Sequence, residues 1–331
     1  MRSISRRSFV AGGASAAAAL ALAACGNSNS DSATDTGAAD SGDKTYKIGV
    51  LQLTQHAALD AANQGFIKAL DESGLKYEAD QQNANNDQST LATVASKFVG
   101  DGSDLIYAIA TPSAQAVSAA TSDIPIVGCA ITDYAASGLV KSNDKPGGNL
   151  TGTSDMNPVD DQIAMLKKVL PNAKHVGMLF CTAESNSQLQ VEMAEAACDK
   201  LGLTYERFTV SSSNEIQSVV ESMVGKVDAG YSPTDNTIAA AAAQIGEIAK
   251  EGKLPFVVGE ENMCMGMGVC TLSIDYEELG HMAGEMAVKI LKDGDSPADM
   301  AIETESADKL KVVKNEDMAS ALGIDLSVLD A

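Results

Sequence analysis

Along most of this chain, short apolar runs alternate with longer segments in which apolar residues recur every three or four positions. That alternation predicts parallel strands covered by helices on both faces. A first series reads as strand Tyr46–Leu53, helix Ala57–Ser73, strand Leu75–Gln81, helix Asp87–Val99, strand Leu105–Ala110, helix Ser113–Thr121 and strand Ile124–Ile131. In its first helix Leu59, Ala62, Phe66 and Ala69 fall on one face. Pro146-Gly147-Gly148-Asn149 breaks the pattern before Leu150–Thr153, and Pro158 follows, so the chain is expected to leave a first lobe there. A second series then runs helix Val159–Leu170, strand Val176–Phe180, helix Gln188–Leu201, strand Thr204–Thr209, helix Glu215–Val224, strand Ala229–Ser232, helix Thr237–Glu251 and strand Pro255–Gly259. The likeness of the two series predicts two lobes of one architecture. Val269–Ile274 and the helix Tyr276–Leu291 form a further unit, in which Leu279, Met282, Met286 and Ile290 share a face; methionines at that spacing are core filler and not a soft-metal site.

The first residues belong to a different problem. Ser5-Arg6-Arg7-Ser8-Phe9 is a twin-arginine start, and Val10–Ala24 is an uncharged, Ala-rich run shorter than the roughly 20 residues of a membrane span. Leu22-Ala23-Ala24-Cys25 has the form of a lipobox and resembles the bacterial lipoprotein signal, which makes residues 1–24 an export signal and Cys25 the lipidation site. The other reading is a plainly cleaved signal with an incidental cysteine, and the export route, Sec or Tat, stays open. Residues 25–44, rich in Gly, Ser, Asp, Asn and Ala, lack the apolar surface to offset chain entropy and read as a flexible tether. No later stretch is apolar for long enough to span a bilayer.

The formal net charge is -22, and removing Arg2, Arg6 and Arg7 with the signal makes it more negative. Such a surface argues against nucleic acid and disfavours adhesion to anionic lipid heads, so membrane association falls to Cys25; its simplest role is solubility. Cys129, Cys181, Cys198, Cys264 and Cys270 are an odd set that cannot pair completely, with no zinc spacing. Buried free thiols are the default reading, and a Cys264–Cys270 loop stays open. No metal and no cofactor is expected.

In open parallel sheets ligands bind beyond the carboxyl ends of the strands. Those exits carry Thr54-Gln55-His56, Gln82-Asn83, Thr111-Pro112-Ser113, Thr132-Asp133, Glu184-Ser185-Asn186, Thr234-Asp235-Asn236 and Glu260-Glu261, so two polar edges are expected to face each other across a cleft. Thr111 and Ser113 open a helix whose free N–H groups suit a carboxylate, and Asp235 suits an ammonium; both positions read equally well as helix caps. Asp133, Glu184, Asn186 and Glu260 carry the same two readings. His56 can hydrogen-bond or stack on a ligand, whereas His175 and His281 read as surface or helix residues. An enzyme would need a nucleophile such as Cys181 with a base, yet the chain has no Gly-x-Ser-x-Gly elbow, phosphate loop or paired metal motif.

The segments IGVLQLTQHAALDAANQGF, Gln82-Asn83-Ala84, AIATPSAQA, Thr132-Asp133, PGGNLTGTSD, the AESNS of Ala183 to Ser187, SPTDNT and IDYEELG together resemble the ABC transporter substrate-binding proteins of the type I periplasmic-binding fold, specifically the group with tryptophan- and tyrosine-binding lipoproteins. The resemblance spans Tyr46 to Leu326. It implies two Rossmann-like α/β lobes with parallel sheets, 45–157 plus 274–301 and 158–273 plus 302–331, joined by a three-strand hinge crossing near Asn157, Ser273 and Ala301. It carries ligand contacts to Gln55, Thr111, Ser113, Asp133, Glu184, Asn186, Asp235 and Glu260, beside His56 and Asn236 from the strand exits. Where the pattern often continues Asp-Pro, this chain has Asp133-Tyr134, and Tyr134 is expected to reshape the pocket. The implied function is capture of a small ligand, an α-amino acid with aromatic ones included, for an ABC permease with its cytoplasmic ATPase, by an extracytoplasmic monomer anchored to the bacterial cell membrane through lipid on Cys25. The alternative is a ligand-sensing lipoprotein that presents its closed form to a receptor. Seven Tyr, six Phe and no Trp argue against an aromatic-lined cage.

Overall fold

The computed structural model describes residues 44–330; the export signal, Cys25 and nearly all of the tether lie outside them. The first sheet is built from β1 (Tyr46–Gln52), β2 (Tyr77–Asn83), β3 (Leu105–Ile109), β4 (Ile126–Ile131) and β5 (Leu150–Ser154), with α1 (Ala57–Glu72), α2 (Gln88–Gly100) and α3 (Thr111–Ala120) between them. The chain then crosses to α4 (Val159–Val169), β6 (His175–Cys181), α5 (Ser185–Leu201), β7 (Thr204–Val210), α6 (Ile216–Met223), β8 (Ala229–Ser232), α7 (Asn236–Ala239), α8 (Ala242–Glu251), β9 (Phe256–Val258), α9 (Glu261–Met267) and β10 (Cys270–Ser273). It returns through α10 (Tyr276–Val288) and β11 (Glu303–Thr304), and crosses a third time to β12 (Lys311–Lys314) and α11 (Glu316–Leu322).

The strand orders are β11-β5-β4-β3-β1-β2 and β12-β10-β9-β8-β6-β7. Every pairing is parallel except the antiparallel contact of β12 with β10. Strands β3 and β4 are buried along their whole length, as sheets covered on both faces require. Phe66 of α1 stacks on Tyr107 of β3 with ring centroids 3.7 Å apart, and the Tyr107 hydroxyl donates to the Ala62 carbonyl at 3.1 Å.

Helix α10 belongs with the first lobe because glycines let it touch α1. A Cβ on Gly280 would stand 1.9 Å from the Ala62 carbonyl oxygen, and one on Gly65 2.0 Å from that of Glu277. Gly280→Ala is therefore expected to force the helices apart and cost about 2–3 kcal/mol. Gly100→Ala, where nothing lies within 4 Å of the new Cβ, should be neutral or slightly stabilising. Urea midpoints of the two variants give the comparison.

Three departures from the sequence reading stand out. The expected helix Thr237–Glu251 is two helices, broken at Ala240 and Ala241, because the first turn is drawn onto Glu184 while Gly246 of α8 packs against the Gly266 carbonyl. Helix α9 and the pair β12 and α11 were not legible. The third crossing falls between Thr304 and Lys311, later than Ala301, because β11 still pairs with β5 of the first sheet.

Candidate ligand cleft

The carboxyl ends of the two sheets meet, and polar side chains bridge them. His56, which precedes α1, places Nε2 3.2 Å from Oδ1 of Asn236 on α7. Asn86 donates to Thr237 Oγ1 at 2.9 Å, and Gln190 of α5 donates to Thr132 Oγ1 at 3.2 Å. Burial lowers the His56 pKa, so the ring is neutral; with Nε2 donating to Asn236, Nδ1 is an acceptor, and it has no partner.

Between the lobes lies a narrow cavity. The first lobe contributes His56, Ala58, Leu59 and Ala130; the second contributes Asn186, Thr234, Asp235, Asn236, Glu260 and Met263; Asp155, just after β5, and Tyr276, the first residue of α10, stand where the first lobe meets the passages between lobes. Its lining holds three carboxyl groups and, among the described residues, no lysine or arginine. Each carboxyl is held differently.

Asp235 accepts from the Cys181 N–H at 2.7 Å and the Ile238 N–H at 2.9 Å, capping α7. Burial, and next the charge of Glu184, raise its pKa. Glu260 caps α9, accepting from the N–H groups of Asn262 and Met263 at 2.6 Å each, and burial pushes its carboxyl up to about 7. Asp155 Oδ2 accepts from the Tyr276 hydroxyl at 2.8 Å, whereas its Oδ1 has no partner. Burial pushes this acid up to about 6, against the lowering pull of the Tyr276 hydrogen bond and of the Thr132 hydroxyl, which approaches the carboxyl without meeting hydrogen-bond geometry at Oδ1. A buried carboxylate oxygen without a donor, in an acidic cavity, is a place for a cation.

Of the residues singled out in the sequence, the structure gathers His56, Asn186, Asp235, Asn236 and Glu260 on the cavity. Glu184 is buried behind it, each oxygen accepting from α7: from Asn236 N at 3.1 Å and Nδ2 at 2.6 Å, and from Thr237 N at 2.9 Å and Oγ1 at 2.8 Å. It is an anchor for α7. Thr111 and Ser113 do not line the cavity, but their buried hydroxyls lack partners at the start of α3. Ala110 just before them has φ 83°, and Ala130 on the cavity has φ 56°; left-handed alanines are strained by roughly 1–3 kcal/mol each, and such strain collects where a fold positions a site.

Gln55 is exposed and Asp133 caps a turn, its Oδ1 accepting from Ala136 N at 2.9 Å and Asn143 Nδ2 at 3.1 Å; neither lines the cavity. Tyr134 corrects the expectation of a reshaped pocket. It is fully buried in the first lobe, its hydroxyl donates to the Thr153 carbonyl at 2.9 Å, and it fills the space left by Gly128 and Gly152. Asp155 and Tyr276 were missed. Asp155 is itself a strand exit, the residue after β5, within the PGGNLTGTSD segment. The five described cysteines are buried and free. Burial raises the Cys181 thiol, the opposite of nucleophile activation.

Residues 47–328 match the family described as ABC transporter substrate binding protein. The chain belongs to that family. It is 41% identical over 295 residues to a tyrosine-binding protein of Clostridioides difficile (strain R20291), covering 88% of this chain and 85% of that protein. A Streptococcus pneumonia ABC domain solved in complex with L-Trp is 40% identical, with TM-score 0.83 over 87% of this chain and 98% of that one. The ligand-free, open structure of a substrate binding protein with adhesive properties from Clostridium difficile is 43% identical, yet superposes with TM-score 0.65 over 85% of this chain and 95% of that one. At near-equal identity the L-Trp complex superposes better, which agrees with lobes drawn together by the cross-cleft hydrogen bonds.

Proposed function

We propose that this protein captures an aromatic α-amino acid between its lobes and delivers it to an ABC permease on the extracytoplasmic face of the bacterial membrane, where lipid on Cys25 holds it. The observation that carries the reading is Asp155 Oδ1, a buried carboxylate oxygen lacking a donor in an interlobe cavity lined by three acids and, among the described residues, by no lysine or arginine. It takes the ligand's ammonium. This replaces the ammonium role considered for Asp235, whose two oxygens already accept backbone N–H groups. The unpartnered hydroxyls of Thr111 and Ser113 at the N-terminus of the ten-residue helix α3 are the donors for the ligand's carboxylate, and because they lie outside the lining of the cavity the cleft must rearrange to bring them to it. Leu59, Met263 and Tyr276 supply apolar walls for a side chain. The binding of tyrosine and of L-Trp by relatives supports the class.

A thermal-shift screen tests it. Protein unfolded and refolded to strip carried ligand is heated with amino acids, their deaminated analogues, sugars and small carboxylates. Ligand that binds the native state raises the melting temperature. Tyrosine or tryptophan should raise it by several degrees and the deaminated analogues far less; a rise confined to sugars or simple carboxylates would overturn the assignment.

A further inference from the structure

We propose that Tyr276 is a positioning residue that ties the ligand's positive charge to the hinge, by holding Asp155 so that its cavity-facing oxygen meets the ammonium while its other oxygen links the first passage to the second. This rests on the ammonium reading of Asp155 above. Asp155 and Tyr276 differ from the rest of the lining in position: Asp155 directly follows β5 and Tyr276 lies three residues beyond Ser273, the last residue of β10. Any rotation of one lobe on the other must be absorbed in the passages whose first-lobe ends these two residues mark.

Those passages are stitched together. Asn157 Nδ2 donates to the Asp155 carbonyl at 3.2 Å, and its Oδ1 accepts from Ile274 N–H at 3.3 Å. Asp275 N–H donates to Glu305 Oε2 on the third passage at 2.9 Å. Asp155, Asn157, Ile274, Tyr276 and Glu305 are all buried. The Tyr276–Asp155 bond is therefore the member of this hydrogen-bonded cross-section that also faces the cavity.

Its strength depends on charge. A hydroxyl bonded to an ionised carboxylate is held about twice as strongly as one bonded to a neutral acid. An ammonium at Oδ1 keeps Asp155 ionised and so tightens the bond at Oδ2, fixing the two passages in one arrangement. Below about pH 6, where Asp155 otherwise takes up a proton, a ligand without positive charge fills the cavity and leaves that bond weak. The groups that share this environment are Cys129 and Tyr134 from the first lobe, whose buried thiol and phenol are both pushed up by desolvation, with His56 beside the cavity and Asp235 and Glu260 across it.

The test is a double-mutant cycle with Tyr276→Phe and Asp155→Asn, with L-tyrosine and L-tryptophan as probes and affinities read by calorimetry or, for weak binding, NMR titration at millimolar ligand. Tyr276→Phe keeps the ring. It should weaken binding about tenfold in the native background and leave binding unchanged in the Asp155→Asn background. The acid limb of the affinity profile should also move up by roughly one pH unit, because the hydrogen bond that Phe removes favoured the ionised acid. Equal losses in both backgrounds, with an unmoved acid limb, would mean that Tyr276 acts by packing alone and would overturn the proposal. Full affinity in Asp155→Asn would instead remove the ammonium reading on which it stands. Fluorescence transfer between labels on the two lobes adds the hinge readout: the amino acid should close native protein fully and the Tyr276→Phe variant incompletely.

Discussion

Asp155→Asn should lower affinity for an aromatic amino acid by about a hundredfold to a thousandfold while the protein stays folded. Truncating one partner of a desolvated ammonium–carboxylate pair costs roughly 2–5 kcal/mol, and about 1.4 kcal/mol is a decade in the dissociation constant. Stability should move the other way. The acid is pushed up to about 6 by burial, so its folded-state pKa exceeds the unfolded value of 3.8. Its contribution is greatest below the unfolded value and is lost as pH rises through the folded one, so at neutral pH the ionised group is a burden on the unliganded fold. Asparagine keeps the shape and removes that burden, and the unliganded variant should be as stable as the native protein or up to roughly 2 kcal/mol more so. Binding shows the mirror image: native affinity should fall about tenfold per pH unit below about 6, as protonated Asp155 loses its charge. Glu260, pushed up to about 7, titrates nearby in both proteins, so the difference between native and variant profiles isolates Asp155. Calorimetry across pH 5 to 8 reads all of this together, and native-like affinity in the variant would place the ammonium elsewhere.

The architecture was legible because parallel strands covered on both faces leave continuous apolar runs, as β1, β3, β4 and β6 do, whereas the edge strands β2 and β7 are mixed in sequence and partly exposed. What escaped had a weak or misleading local signal. Residues 238–243, IAAAAA, favour an unbroken helix, and it was tertiary contact at Glu184 and Gly266 that divided α7 from α8. Strand β12, with its exposed Lys311 and Val312, buries too little to betray itself. Within the site, the strand-exit rule found the polar residues but not their directions. Asp133 and Asp235 occupy equivalent sequence contexts, yet one caps a surface turn and the other a buried helix on the cavity. His56 and Asn236, each expected to meet a ligand, also meet each other. Asp155 was passed over because Leu150 to Pro158 read as a connection between lobes, and in this fold the start of that connection lines the cavity.

Glu184→Ala should be the most destabilising single change among these, at about 3–5 kcal/mol, with a loss of binding that follows from it. The carboxylate is buried and collects four donors from Asn236 and Thr237, and α7 is a helix of only four residues that depends on them. Alanine would leave two backbone N–H groups, an amide and a hydroxyl without their acceptor in a buried place, each a cost of roughly 1–3 kcal/mol before water or rearrangement relieves part of it. Removing the charge also relieves Asp235, whose pKa Glu184 helps to raise, and that gain offsets some of the loss. Glu184→Gln should fall between, at about 2 kcal/mol, because one oxygen can still accept while its amide N–H₂ opposes donors that needed the other. The pair separates two roles for this residue. If Glu184 touched the ligand, glutamine would abolish binding at native stability. As the anchor of α7, which sets Asn236 opposite His56 across the cleft, it should instead lower stability and affinity together, alanine more than glutamine, in denaturant unfolding and calorimetry on the same preparations.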